Sequence, residues 1–160
     1  MIHVTLSPDE IHLAAITGVS RRIDSMKTGL NNQKQSDGSD WAIDIEGACA
    51  ELAVAKQMNL FWNGHVQSFK NADVGVLHVR STVHHDGHLI VKDNDPDDAV
   101  FMLVTCACPV YTIVGGISGA RARIVGNEVP MKRGTGSTRW VAQKDLTEAE
   151  RIINWAKSKI

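Results

Sequence analysis

Apolar residues recur at helical spacing near the start of this chain and later switch to alternation. Ile11, Ala14, Ala15, Val19 and Ile23 stand three and four apart, or nearly so, and predict one apolar helix stripe. Ser7-Pro8-Asp9-Glu10 supplies the start: Ser7 can cap, Pro8 fits the first turn, and the acids suit the positive helix end. A helix over 7–27 follows. The polar stretch 28–40, with Gly29, Asn31, Asn32 and Ser36-Asp37-Gly38-Ser39, reads as a mobile loop. A second stripe, Ile45, Ala48, Cys49, Leu52, Ala55 and Met58, predicts a helix over 41–58.

Strand patterns come next. Asn63-Gly64 marks a turn, and 66–69, 76–83 and 88–91 read as strands. Asp86-Gly87 between the last two predicts a hairpin. The runs 100–105 and 111–114 are apolar enough to be central strands. Gly115, Gly116 and Gly119 punctuate a short helix or turn that holds Arg121 and Arg123, and 132–138 is a basic glycine loop. Thr147-Glu148-Ala149-Glu150 is a capping-box pattern opening a final helix to the chain end. Helix, helix, strands, helix is the order of an α+β or three-layer α/β domain. One domain is expected over 1–160: first helix 7–27, loop 28–40, core 41–126, then basic loop and C-terminal helix 127–160.

Composition adds limits. A chain of 160 residues, 43% hydrophobic and 22% charged, can build one core. No apolar run approaches the roughly 18 residues that cross a bilayer, and no basic region precedes an apolar segment at the start. No membrane partner and a cytoplasmic location are therefore expected. Cys49, Cys106 and Cys108 lack the spacing of a redox or zinc motif and read as reduced core thiols. The net charge of -1 does not announce nucleic-acid binding. Base nevertheless gathers at Arg21-Arg22, at Arg121 and Arg123, and at Lys132-Arg133 with Arg139, against an acidic run from Asp93 to Asp98. A phosphate-binding face requires those cations to converge.

Four positions carry candidate chemistry: Glu51, Asp73, His78 and Arg80. Glu51 has Gly47, Ala48, Val54 and Ala55 as its helical neighbours, so its carboxylate lies on the packed side. An unpaired buried carboxylate is costly, so a cation or a metal must meet it; an ordinary salt bridge is the plain alternative. Asp73 stands two residues before Gly75, which permits the sharp bend that a strand-end carboxylate needs; a turn aspartate is the plain reading. Alternation then puts His78, Arg80 and Thr82 on one strand face and Leu77, Val79 and Val83 on the other. Straight parity sends Asp73 away from His78 and Arg80, so a common site requires a turn or bulge at Gly75. Glu46, in the first helical turn, is explained by the helix dipole.

The order Gly47-x-x-x-Glu51, Asp73, then a strand ending Val79-Arg80 resembles the PD-(D/E)XK nuclease superfamily, in particular its short phage-encoded members. The resemblance extends through Leu89-Ile90-Val91-Lys92, 97–104 and 111–115, and so spans most of the chain. It implies a restriction-endonuclease-like fold, a mixed central β-sheet flanked by helices. It also implies a metal-dependent DNA phosphodiester hydrolase with Mg²⁺ or Mn²⁺ held by Glu51, Asp73 and His78, and Arg80 completing the catalytic set. His78 takes the place of the second acid and Arg80 that of the lysine. Imidazole weakens magnesium binding and favours Mn²⁺ or softer ions, and arginine neutralises phosphate charge but cannot act as a base. Lys92 or Lys56 could stand in for the lysine. DNA contacts are expected from Arg80, Lys92, Arg121, Arg123, Lys132 and Arg133. The alternative is a catalytically inactive nuclease-fold protein that binds nucleic acid or a host protein. A homodimer fits an enzyme that cuts both strands, though no sequence feature demands it.

Other patterns have plainer readings. His84, His85 and His88 could hold zinc or simply be solvated turn histidines. Asp93-Asn94-Asp95-Pro96-Asp97-Asp98 lacks the glycine and closing glutamate of a calcium loop, and 132–138 lacks a P-loop ending. The four tryptophans read as core or rim residues before base-stacking platforms.

Overall fold

The computed structural model describes residues 1–29, 39–64, 71–132 and 136–160. In chain order these form β1 (Ile2–Thr5), α1 (Pro8–Lys27), α2 (Asp40–Met58), β2 (Leu77–Thr82), β3 (Leu89–Lys92), β4 (Val100–Ala107) and β5 (Val110–Ser118). There follow α3 (Gly119–Val125), β6 (Asn127–Pro130), β7 (Ser137–Val141), a 3₁₀ turn at Gln143–Asp145, β8 (Thr147–Glu148) and α4 (Ala149–Lys157). The fold is α+β. The strand expected at 66–69 and most of the loop expected at 28–40 lie outside the described residues, as does Arg133.

The larger sheet is mixed, in the order β1-β5-β4-β2, with β8 also on β5; β2 runs parallel to β4 and the other pairs are antiparallel. One face packs on α1, α2 and α4 through Leu77, Val79, Met102, Val104, Tyr111 and Ile113. The other face, through Phe101, Leu103, Val114 and Ile117, packs on Leu89, Val91 and Val141 of the second sheet, β3-β7-β6. A bulge makes this double use of β5 work. Leu103 pairs with Gly115 but Val104 pairs with Ile113, so Val114 is the extra residue and parity inverts there. Ile113 therefore faces the helices while Ile117 faces the second sheet.

The first helix begins as expected. Ser7 accepts from the Glu10 backbone amide at 3.2 Å and the Glu10 carboxylate accepts from the Ser7 amide at 2.7 Å, closing a capping box. Its buried face is shifted from the expected stripe. Ala14, Gly18 and Arg22 are buried, whereas Ile23 is 41% exposed. Gly18 explains the shift: a Cβ there would lie 2.6 Å from the Ile45 Cα, so the two helix backbones touch at this glycine.

Three other expectations are corrected. β2 and β3 form no hairpin across Asp86-Gly87; β2 pairs with β4 and β3 with β7. Burying Leu89 and Val91 beneath Phe101 draws β3 into the second sheet. The last helix starts at Ala149 with no side-chain cap, because Thr147 and Glu148 pair with Gly116 and Gly115 as β8. Cys49 and Cys106 are buried, but Cys108 is exposed. No helix among the described residues is long and apolar enough to cross a membrane.

Candidate functional site

Glu51 sits on α2 where the helix is enclosed between α1 and the sheet, and the residue is buried. Its cation is Arg21 of α1. Arg21 donates from both terminal nitrogens, Nη1 to Oε1 and Nη2 to Oε2, each at 2.7 Å. This is the two-pronged geometry in which a guanidinium binds a carboxylate most strongly. The Trp62 indole Nε1 adds a donor to Oε2 at 3.3 Å. Burial holds the Glu51 carboxyl above its ordinary value, against the opposing pull of Arg21, and the nearby Asp73 charge pushes it further up. Burial also works against the Arg21 charge, but Glu51 and then Asp73 more than offset it. Asp73 is thus a second acid whose charge acts on both partners.

Asp73 arrives there through the bend that the sequence required. Gly75 has φ 59°, Val74 bridges to Leu77, and the Asp73 amide donates to the Leu77 carbonyl at 2.9 Å. The chain thus doubles back along β2, the end strand of its sheet. The Asp73 Oδ2 accepts from the Val79 amide at 2.7 Å, which satisfies a backbone donor of that end strand.

His78 and Arg80 go elsewhere. Leu77 and Val79 fill the helix-facing side of β2, so the alternate residues project to the second-sheet side. There the His78 ring lies 5.3 Å from the Phe101 ring and the Arg80 guanidinium stacks 5.1 Å over it. Arg80 Nη2 donates to Asp95 at 3.2 and 3.3 Å, and the Lys92 amide donates to Asp95 Oδ2 at 2.8 Å. Lys92 is half-buried; burial and then the neighbouring Arg80 charge hold its ammonium below the ordinary lysine range, with Asp95 opposing. The Arg80 guanidinium and the Lys92 backbone amide thus both donate to Asp95, and the Arg80 charge acts on the Lys92 ammonium. Lys56 is engaged on another surface, donating to Glu10 at 2.7 Å and the Thr5 carbonyl at 3.0 Å.

Of the expected quartet, Glu51 lies on the helix side, Asp73 is bound to the backbone of β2, and His78 and Arg80 sit on the opposite sheet face. Arg123 joins the second group. Its Nε donates to Asp97 at 2.6 Å and its terminal nitrogens to the carbonyls of Lys92, Asp93 and Asp95, which fixes the acidic loop. Arg121 and Lys132 are exposed. Arg139 pairs with Glu128 at 2.9 Å. The sequence reading missed Arg21 as the partner of Glu51 and Asp95 as the acid between Arg80 and Lys92. The isolated acidic character of Glu51 asked for a cation but could not say which helix supplies it.

The Mg²⁺ or Mn²⁺ that the resemblance implies can be tested against this donor set. Both Glu51 oxygens are taken by Arg21, His78 is across the sheet, and no three His, Cys, Asp or Glu side chains among the described residues are grouped to hold an ion. These residues do not fit the ion as arranged. Comparison with protein-family models, curated proteins and solved structures gave no match.

Proposed function

We propose that this chain binds DNA through its phosphates, as a nuclease-like protein that does not cut. The observation that supports this reading is the Arg80–Lys92 cation pair on the second-sheet face. Both residues are half-buried, Asp95 accepts from the Arg80 guanidinium and the Lys92 backbone amide, and the two like charges, which act on each other, gain from a phosphate oxygen set between them. Arg80 is held in place by Phe101 beneath it, so little side-chain freedom is lost on binding. Arg123 braces the loop that carries Asp95, and Arg121 and Lys132 are further exposed cations.

Fluorescence anisotropy with a short labelled duplex at low salt tests the reading. Binding should weaken with salt, and the double substitution Arg80→Ala/Lys92→Ala should make the log–log salt slope shallower by about two, one for each lost phosphate contact. Absence of binding at low salt, or an unchanged slope, contradicts it. A competing reading, divalent-dependent cleavage of DNA, draws on Asp73 as a second acid whose charge acts on Glu51. Incubating plasmid with the protein and Mn²⁺ or Mg²⁺ separates the two: cleavage abolished by Asp73→Ala supports the hydrolase.

A further inference from the structure

We propose that the outer face of α1 is a docking surface for a second copy of this chain, whose own α1 lies antiparallel across a two-fold axis beside Ile16 and Ser20. The pairing follows from α1 alone and depends neither on DNA binding nor on the nuclease resemblance.

The helix carries two stripes. Ala14, Gly18 and Arg22 are buried on one side. On the other side Asp9, Leu13, Ile16, Ser20, Ile23 and Lys27 follow at steps of four, three, four, three and four, which aligns them along a single seam. Leu13 and Ile16 are each 54% exposed and Ile23 is 41% exposed, so three large aliphatic side chains stand in water on one helix face.

The steps read the same from either end, and the charges choose the direction. An antiparallel copy sets Leu13 against the partner's Ile23, Ile16 against the partner's Ser20, and Asp9 against the partner's Lys27, each pair occurring twice about the axis. Parallel packing sets aspartate on aspartate and lysine on lysine. Asp9 is exposed, and Lys27 is 71% exposed with Asp24 at 3.9 Å, so both charges are accessible to a partner. Glu10, beside the seam, already has its charge met by Lys56 at 2.7 Å. Ser20 donates its hydroxyl to the Ile16 carbonyl at 3.0 Å and so brings no unsatisfied donor into the apolar layer. The contact of Gly18 with Ile45 and the capping box at Ser7 fix α1 before association, so little freedom is lost on pairing.

Sedimentation equilibrium of the full chain at sub-millimolar concentration and low salt tests the proposal, with circular dichroism to confirm the helix content of each variant. The wild type should show twice the mass of one chain. Ile16→Glu should return it to one chain, and Ser20→Glu on the next turn serves if that variant does not fold. Asp9→Lys or Lys27→Asp alone should each weaken association about tenfold, because every dimer holds the pair twice, and the two reversals combined should restore it. A wild type with the mass of a single chain overturns the proposal. So does a doubled mass that persists in the folded Ile16→Glu or Ser20→Glu variant, since another surface then makes the dimer. Failure of the combined reversal to recover the association lost in the single ones overturns the antiparallel register.

Discussion

Glu51 and Lys92 are both charged groups withdrawn from water, and the fold treats them differently. Glu51 receives a matched guanidinium; Lys92 is set beside a second cation. Truncating Glu51 to alanine leaves Arg21 in a partly buried place without its carboxylate. The cost should be about 3 kcal/mol, the low end for breaking a buried pair because Arg21 keeps some exposure. Chemical denaturation measures it, and a loss below about 1 kcal/mol would mean that the pair behaves as a surface ion pair. The thiols differ in the same manner. Burial pushes Cys106 up to about 12, aided by the Glu46 charge, and burial raises Cys49, whereas Cys108 is exposed. Iodoacetamide at neutral pH should modify Cys108 alone in the native protein and all three thiols after denaturation. Equal labelling of Cys106 in the native state would contradict the packing at the β4 end.

At the scale of elements, two contacts set the layers. The first is the α1–α2 crossing at Gly18. Leucine there drives a side chain into the Ile45 backbone and should cost about 1–3 kcal/mol, read as a lowered Tm. An unchanged Tm would show that the helices are not in contact. The second is Asp93, just beyond β3, which accepts from the Ser137 amide at 2.6 Å and from its hydroxyl at 3.0 and 3.2 Å. The Ser137 amide, then its hydroxyl, hold the Asp93 carboxyl below its usual value of 3.8, and the Arg139 and Arg123 charges help. A depressed acid stabilises the fold above its unfolded pKa and loses that contribution as pH falls through the folded value. Asp93→Asn should therefore flatten the stability profile from about pH 4 downward; a profile of unchanged shape would contradict the link. The helices were legible from sequence because Ser7, Pro8 and Glu10 act locally, and so does the run of small residues around Glu51. The misassigned β2–β3 hairpin was illegible for the opposite reason. Asp86-Gly87 is a local turn signal, but the burial of Leu89 and Val91 against Phe101 is a long-range gain that outweighs it. β8 overrode the Thr147 cap in the same way, since Gly115 and Gly116 lie far upstream in sequence.

For the whole molecule, the mixed sheet acts as a partition. Alternation along β2 correctly separated His78 and Arg80 from Leu77 and Val79, and Gly75 correctly marked the bend that turns Asp73 back. What the sequence could not give was the side on which each group ends, because that depends on α2 covering one face and β3-β7-β6 covering the other. Glu51 consequently meets Arg21 on the helix side, and the Arg80 guanidinium and the Lys92 amide meet Asp95 on the other. The separation of these two faces is the claim on which the functional reading rests. Backbone amide and indole NMR shifts during titration with a short DNA duplex test it most directly. The account expects changes at His78, Arg80, Lys92 and the Asp93–Asp97 loop, with the Trp62 indole signal unmoved. Shifts centred on Trp62, Glu51 and Asp73, with Arg80 and Lys92 silent, would contradict it.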